Sequence, residues 1–380
     1  MSHAAIGPGA RVIVRADFDV GLVNGRVEDD TRIRAHEETL RSLMASGARI
    51  RLVSHRGRPG GKIDSALSLV PVGGVLQRRL RRRVRLIADP FSREARTRFD
   101  STDDMLLFEN IRFWPGEEKN SQSFAGRLAT WGDFYINEAF ANCHRPHASM
   151  VALARMMPSY AGLHLSHEIA ALGRVIRHPH RPLAAVLGGA KIETKLPLIR
   201  RFLTDADAVL VGGALANTIF FVKGMKIGRS LADTDITVPP RLFARKNLYL
   251  PTDVIVTSSL QSPADYEIKD IGGVRPDQYI VDIGPATRRA FADIIHASKT
   301  VVWNGPMGLT EVSACGAGTR AVAEALLKSR AFSVVGGGDT LASLRRLHRR
   351  AGFSHISTGG GAMLEFLSGK ILPAIKVLER

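Results

Sequence analysis

The sequence predicts an α/β protein built from two doubly wound parallel-sheet domains that face a central cleft and are joined by a helix. Three observations carry this expectation. Short, continuously apolar runs recur along the 380 residues, helical stretches lie between them, and several of the runs end in glycine turns. Strands covered on both faces read as unbroken apolar runs, and helices between parallel strands make βαβ units.

In chain order, strands are expected at Arg11–Arg15, Ile50–Ser54, Met105–Phe108, Phe134–Asn137, Ala184–Leu187, Ala208–Val211, Val254–Val256, Thr300–Trp303 and Phe332–Val335. Arg32–Ser46 and Gly318–Leu327 fit crossover helices. A further helix over Ser166–Val175 runs into Pro179 and Pro182, which stop it. Residues 1–165 are therefore expected as the first domain, 166–182 as linker helix and hinge, and 183–365 as the second domain, with 366–380 free to pack back on the first. His178 and His180 lack a third ligand nearby and read as a solvated loop. The uncharged run Ala208–Val222 is broken by Gly212, Gly213 and Asn217. It is too short for a span of ~20 residues and reads as a buried strand, a glycine turn and a helix.

Composition bounds the class. With 45% hydrophobic residues the chain can bury substantial cores, so disorder is not expected. Cys143 and Cys315 are too few for a disulfide framework, which points to a reducing, cytoplasmic location. The N-terminus MSHAAIGPGA carries no basic stretch leading into an apolar core, so no secretory signal is expected. The formal charge is +17, and removing the six arginines of Arg78–Arg85 still leaves +11, so the excess is spread along the chain. Such a balance suits anionic substrates or nucleic acid, or a solvated basic surface around a helix end. Aromatic residues are 6% and none interleaves with that patch, which argues against a single-strand stacking platform.

The two halves carry different chemistry. The first concentrates cations in five segments, four of them after expected strands: Arg15-Ala16-Asp17-Phe18-Asp19, then Asp30-Thr31-Arg32, His55-Arg56-Gly57-Arg58, Asn110-Ile111-Arg112 and His144-Arg145-Pro146-His147. Each arginine alone suits a surface ion pair. Their repetition at strand ends suits an anion, because guanidinium forks match phosphate and carboxylate geometry. The second half carries glycine turns at Gly188-Gly189, Gly212-Gly213, Gly305, Gly336-Gly337-Gly338 and Gly359-Gly360-Gly361. In Val335-Gly336-Gly337-Gly338-Asp339-Thr340 a β-branched run, a glycine turn and a helix start follow in order. Backbone N–H groups there suit a polyphosphate, and Asp339 suits its Mg2+; a tight turn in any α/β protein is the plainer reading. Lys191 and Lys195, spaced i, i+4, are expected on one face of a helix start, directed at phosphates. An anion-binding half beside a nucleotide-binding half means phosphoryl transfer between two bound anions. Neither a Walker A motif nor the protein-kinase signatures occur.

Taken together, VRADFDV, DDTRIRA, SHRGRP, LFENIRF, HRPHAS, GGAKIETK, VVWNGPMG, GGGDT and ISTGGGAMLEF resemble the motifs of the phosphoglycerate kinase family, in its order, from about Arg11 onward. The resemblance implies two Rossmann-like domains, phosphoglycerate on the first and nucleotide on the second. It implies that Asp17, Phe18, Asp19, Arg32, His55, Arg56, Gly57, Arg58, Arg112 and Arg145 hold 3-phosphoglycerate. Lys195, Asn304, Glu311, Gly337, Gly338, Asp339 and Thr340 would hold ADP or ATP, with Glu311 near the ribose and Asp339 on Mg2+. Arg32 and Lys191 would grip the phosphoryl group in flight. The implied enzyme is a cytoplasmic monomer with neither nucleic-acid nor membrane partners, acting in glycolysis, gluconeogenesis or carbon fixation.

The chain departs from the family pattern at Asp19, where asparagine is usual, and at Ala141-Asn142-Cys143, where Gly-Thr-Ala is usual. Gly21, Arg56 and Thr310 replace a usual proline, leucine and phenylalanine, and Pro239–Leu250 is short. Two other readings stay open at this point. One is a related kinase for another small phosphorylated carboxylic acid, and the other a basic nucleic-acid-binding derivative of the fold.

Overall fold

The computed structural model describes residues 6–99, 102–236, 238–261, 265–312, 315–346 and 352–379. The first five residues of the N-terminal stretch read above for a secretory signal lie outside them. Contacts divide the chain into two units, one running to Ala170 and regaining the chain from Ile371, the other covering Ala171–Lys370.

The first unit holds β1 (Arg11–Arg15), β2 (Leu22–Val23), β3 (Arg26–Val27), β4 (Arg49–Val53), β5 (Val84–Ile87), β6 (Met105–Phe108), β7 (Phe134–Asn137) and β8 (Ser159–Ala161). β2 and β3 make a small antiparallel hairpin, and the other six form one parallel sheet in the order β5-β6-β4-β1-β7-β8. Alternate residues of β1 face opposite cores. Val12 and Val14 pack with Leu52, Leu107 and Ile136, whereas Ile13 packs with Val53, Leu106, Phe108 and Trp131. Each such side chain contributes about 1.5–3 kcal/mol by leaving water, which is why the strand reads as an unbroken apolar run. The C-terminal helix Pro373–Lys376 donates from Ala374 N to Cys143 O at 3.2 Å, and Val377 joins the core around Ile13.

The second unit holds β9 (Leu183–Leu187), β10 (Ala208–Val211), β11 (Leu248–Tyr249), β12 (Asp253–Thr257), β13 (Glu267–Asp270), β14 (Tyr279–Ile283), β15 (Thr300–Asn304), β16 (Phe332–Gly336) and β17 (His355–Ser357). Six of them form a parallel sheet in the order β11-β10-β9-β15-β16-β17. In each unit the connections leave the central strand, β1 or β9, towards both edges. The carboxyl end of such a strand is where doubly wound folds place ligands.

Three expectations need correction, and that of a basic surface at a helix end holds. Val254–Val256 does not join the parallel sheet, because β12 pairs antiparallel with both β13 and β14 in a separate sheet. A short buried apolar run is the same in either pairing. The helix expected over Arg32–Ser46 is two, Thr31–Ala35 and Glu37–Ala45, broken at His36. Arg78–Arg85 does lie around a helix end, with Arg78, Arg81, Arg82 and Arg83 exposed, and it runs from the helix Val70–Leu80 into the unanticipated strand β5. Within it Arg79 pairs with Asp30 and Glu37, Arg85 pairs with Asp104, and Arg82 donates to Asp103 O. Lys191 and Lys195 do not share an environment: Lys191 is the exposed N-cap of the helix Ile192–Asp205, and Lys195 is buried. Among the described residues, no helix is long and apolar enough to cross a membrane.

Candidate active site

At the carboxyl end of β1 the chain buries Arg15 completely. A guanidinium out of water needs acceptors. Its Nε donates to Ser149 Oγ at 2.8 Å, one Nη donates to Ala16 O, and the other lies 3.2 Å from His55 Nδ1. Ser149 in turn donates from its hydroxyl (2.6 Å) and its amide (2.8 Å) to the buried carboxylate of Glu117. Arginine can only donate, so His55 Nδ1 is the accepting nitrogen and Nε2 carries the proton. That Nε2 lies 3.8 Å from Asp19 Oδ2.

The loops after β1 and β4 are tied together around this histidine. Asp19 Oδ1 accepts the Gly57 amide at 2.8 Å, and Arg112 donates to Gly57 O at 2.8 Å. Asp17 accepts from Arg32 at 2.7 Å with one oxygen and from the Asp19 amide at 3.3 Å with the other. Four arginines, Arg15, Arg32, Arg112 and Arg145, crowd this group beside the carboxylates of Asp17, Asp19, Glu117 and Glu118. Burial, followed by repulsion from Arg15 and Arg145, lowers the Arg112 guanidinium to about 10. Burial, then Arg15, Arg112 and Arg32, holds His55 well below the usual histidine value. His147 is pushed to about 3 by burial and then by Arg112, Arg15 and Arg145. Both imidazoles are therefore neutral, and the arginines repel one another in a place that an anion would relieve.

In the second unit, β9 ends in Gly188-Gly189. Gly189 has φ of +85°, and its amide donates to Pro306 O at 2.9 Å. Lys195 folds back between the turns and donates its ammonium to Gly188 O. Burial lowers it to about 8, against the pull of Asp339. Asn304, at the end of β15, donates from Nδ2 to Gly336 O at 3.0 Å, and Thr340 Oγ1 accepts the Gly305 amide at 2.6 Å. Gly337, with φ of +100°, has no room for a side chain: a Cβ there would stand 2.7 Å from Asn304 Nδ2. Asp339 stands exposed in the first turn of the helix Gly338–Arg346. Beside these turns lies a mainly apolar cavity of about 420 Å³, bordered by Gly189, Ala216, Met307, Leu309, Glu311 and Asp339. Glu311 is 65% exposed, with Arg346 at 3.7 Å.

The sequence profile of phosphoglycerate kinase matches residues 6–370. The phosphoglycerate kinase of Thermomicrobium roseum is 43% identical over 377 residues, covering 97% of this chain and 96% of the relative. That of Thermus thermophilus is 42% identical over 380 residues, covering 98% and 97%. The chain belongs to the phosphoglycerate kinase family. Among solved structures, phosphoglycerate kinase from Coxiella burnetii superposes with a TM-score of 0.87 at 37% identity, covering 100% of this chain and 98% of that one. The protein is accordingly a kinase, and its paired parallel-sheet architecture is that of phosphoglycerate kinases.

Not every residue expected in the site converges on it. Asp17, Asp19, Arg32, His55, Gly57 and Arg112 form one bonded group, and Arg145 joins it electrostatically. Arg58 is exposed. The side chains of Phe18 and Arg56 are engaged elsewhere. Phe18 is fully buried in the core, with its amide donating to Ser54 Oγ at 2.9 Å. Arg56 turns its guanidinium onto the carbonyls of Ser68 and Ala66. Arg15 and His147 are central to the group, although the family resemblance assigns neither a ligand. A charged residue closing the apolar run Val12-Ile13-Val14 is the signal that marks Arg15, because a cation at a strand end that is buried must have partners. Of the residues that depart from the family pattern, Cys143 is buried, and its thiol is raised to about 12 by burial. Thr310 shares a 2.6 Å hydrogen bond with Ser343.

Proposed function

We propose that the chain transfers a phosphoryl group reversibly between ATP and the carboxylate of 3-phosphoglycerate, forming 1,3-bisphosphoglycerate and ADP. In this reading the first unit holds the glycerate through the loops that carry Asp17, Phe18, Asp19, Arg32, His55, Arg56, Gly57, Arg58, Arg112 and Arg145. The second holds the nucleotide, with its phosphates at Lys195 and the turn Gly337–Thr340, its base in the apolar cavity, its ribose near Glu311, and Asn304 beside the phosphates. The observation that carries the assignment is the convergence of Arg15, Arg112 and Arg145 after the strands of the first unit, close enough that Arg112 is lowered to about 10 by burial and then by the other two. A trianionic substrate would relieve the repulsion among these arginines.

Among the described residues no group of three or more metal-ligating side chains occurs. A single exposed carboxylate at Asp339, next to phosphate-binding turns, fits Mg2+ brought in by the nucleotide, since that ion keeps waters and needs few protein ligands. Bound there, it would neutralise nucleotide oxygens.

The acceptor carboxylate is ionised at neutral pH, so no general base is needed. What the chain must supply is alignment and charge for the equatorial oxygens of a loose transition state. Arg32, already oriented by Asp17, and the exposed Lys191 are the cations assigned to that role. The reading makes the enzyme a cytoplasmic monomer, and its two free, buried cysteines suit a reducing compartment. A coupled assay for ADP release from MgATP, run over a panel of small phosphorylated carboxylic acids, tests it. Turnover with 3-phosphoglycerate at the highest kcat/KM is expected; preference for another acid would overturn the substrate assignment.

A further inference from the structure

His36 plays no part in the reading above, yet it is 1% exposed and stands where the helix after β3 breaks. Its Nε2 lies 3.1 Å from the amide nitrogen of Asp17 and 3.2 Å from Asp17 O. On the other side of the ring, Nδ1 faces Glu138 Oε2 at 3.7 Å. Both of those atoms are buried without a hydrogen-bond partner among the described residues. The second carboxylate oxygen, Glu138 Oε1, accepts from Thr39 Oγ1 and from the His164 amide at 3.4 Å. A Cβ at position 162 would collide with this carboxylate, so Gly162 leaves the space it fills. The imidazole is held edge-to-face by Phe18 at 5.5 Å and His164 at 5.3 Å.

The tautomer follows from these partners. At Nε2 Asp17 offers both a donor and an acceptor, but at Nδ1 the Glu138 carboxylate can only accept, so the proton sits on Nδ1, directed at the buried glutamate, and Nε2 accepts the Asp17 amide. A carboxylate behind an imidazole fixes both its tautomer and its orientation. The next link is Asp17 itself. Its backbone is held by His36, and its side chain holds Arg32 at 2.7 Å. Arg32 lies on Thr31–Ala35, the short helix that His36 terminates. Backbone and side chain of one residue are thus tied to both ends of that helical turn.

We propose that His36, backed by Glu138, is a positioning residue for the glycerate site: it fixes the Asp17 backbone and thereby the Asp17–Arg32 pair. This rests on the reading that Asp17 and Arg32 contact 3-phosphoglycerate. His36 itself touches no substrate.

Steady-state kinetics of the full chain test it, with His36→Leu and His36→Gln beside the parent. Leucine approximates the shape without polar atoms, whereas the glutamine amide oxygen can reach the Asp17 N–H. His36→Leu should raise KM for 3-phosphoglycerate about tenfold and lower kcat, leaving KM for ATP within about twofold. His36→Gln should return the glycerate KM to within about threefold of the parent. A purely structural role would reduce the amount of folded enzyme and so the apparent kcat, but neither KM. An unchanged glycerate KM in His36→Leu, or glutamine no better than leucine, would overturn the proposal. If His36→Leu does not accumulate, His36→Asn replaces it, being polar but a bond too short. A raised KM with Asn and not with Gln supports the proposal, and equal values overturn it. Absence of turnover in the parent overturns the functional reading instead, and this inference with it.

Discussion

Asp19 Oδ1 accepts the Gly57 amide at 2.8 Å, so the loops after β1 and β4 are joined by a carboxylate in a place assigned to a polyanion. Arg56 and Arg112 both interact electrostatically with it. The charge is thus partly balanced before any ligand arrives. An amide would keep the acceptor without the charge. Asp19→Asn is expected to lower KM for 3-phosphoglycerate, by on the order of 1 kcal/mol in binding, with little change for ATP. Kinetics at low and moderate salt check this, because screening must shrink the difference. A raised glycerate KM would mean that the carboxylate recognises its ligand directly.

Asp339 is exposed at a helix start and raises the affinity of Lys195 for its proton. Asp339→Ala should abolish the Mg2+-dependent part of nucleotide affinity and leave 3-phosphoglycerate binding intact. Calorimetric titration of each ligand separately decides it. Equal loss of both affinities would refute the assignment of the two ligands to different units.

Arg32 and Lys191 are assigned to the group in transfer, where charge matters more in the transition state than before it. Arg32→Ala and Lys191→Ala should each lower kcat by about 10²–10³ while changing KM much less. A near-parental kcat in either variant would remove that residue from the transfer step.

The neutral histidines of the first unit give a pH dependence of stability. His147 is lowered to about 3 and His55 well below its usual value of 6.5, both chiefly by burial. In the unfolded chain each takes up a proton near pH 6.5, whereas the folded form resists it. Their stabilisation is therefore complete above pH 6.5 and is lost as pH falls, for His147 down to about pH 3. The slope is at most about 1.4 kcal/mol per pH unit for each histidine. His147→Gln should flatten the fall measured by denaturant unfolding between pH 6.5 and 4; an unchanged slope would show that His147 is charged in the fold.

Much of the architecture was legible because strands covered on both faces leave an unbroken apolar run, as Val12-Ile13-Val14 and Leu183–Leu187 do. β5 was not, since three of its four residues are only half-buried and it begins inside an arginine-rich stretch. Nor was the break at His36, which no glycine or proline marks; the reason for it lies in contacts with Asp17 and Phe18, distant along the chain. β12 was visible as a strand but not as antiparallel, because pairing direction depends on β13 and β14, both partly solvated. In the site the cations were legible by type and position. Their division was not: a sequence cannot show that Arg56 spends its donors on Ser68 and Ala66 while Arg15 reaches His55.

The central claim is that the phosphoryl group moves to a carboxylate. Its most direct test is to run the enzyme with MgATP and 3-phosphoglycerate in the presence of hydroxylamine, which converts an acyl phosphate into a hydroxamate. Hydroxamate should accumulate in step with ADP and require both substrates. ADP release without hydroxamate would place the phosphoryl group on a hydroxyl or on water, and would contradict the account.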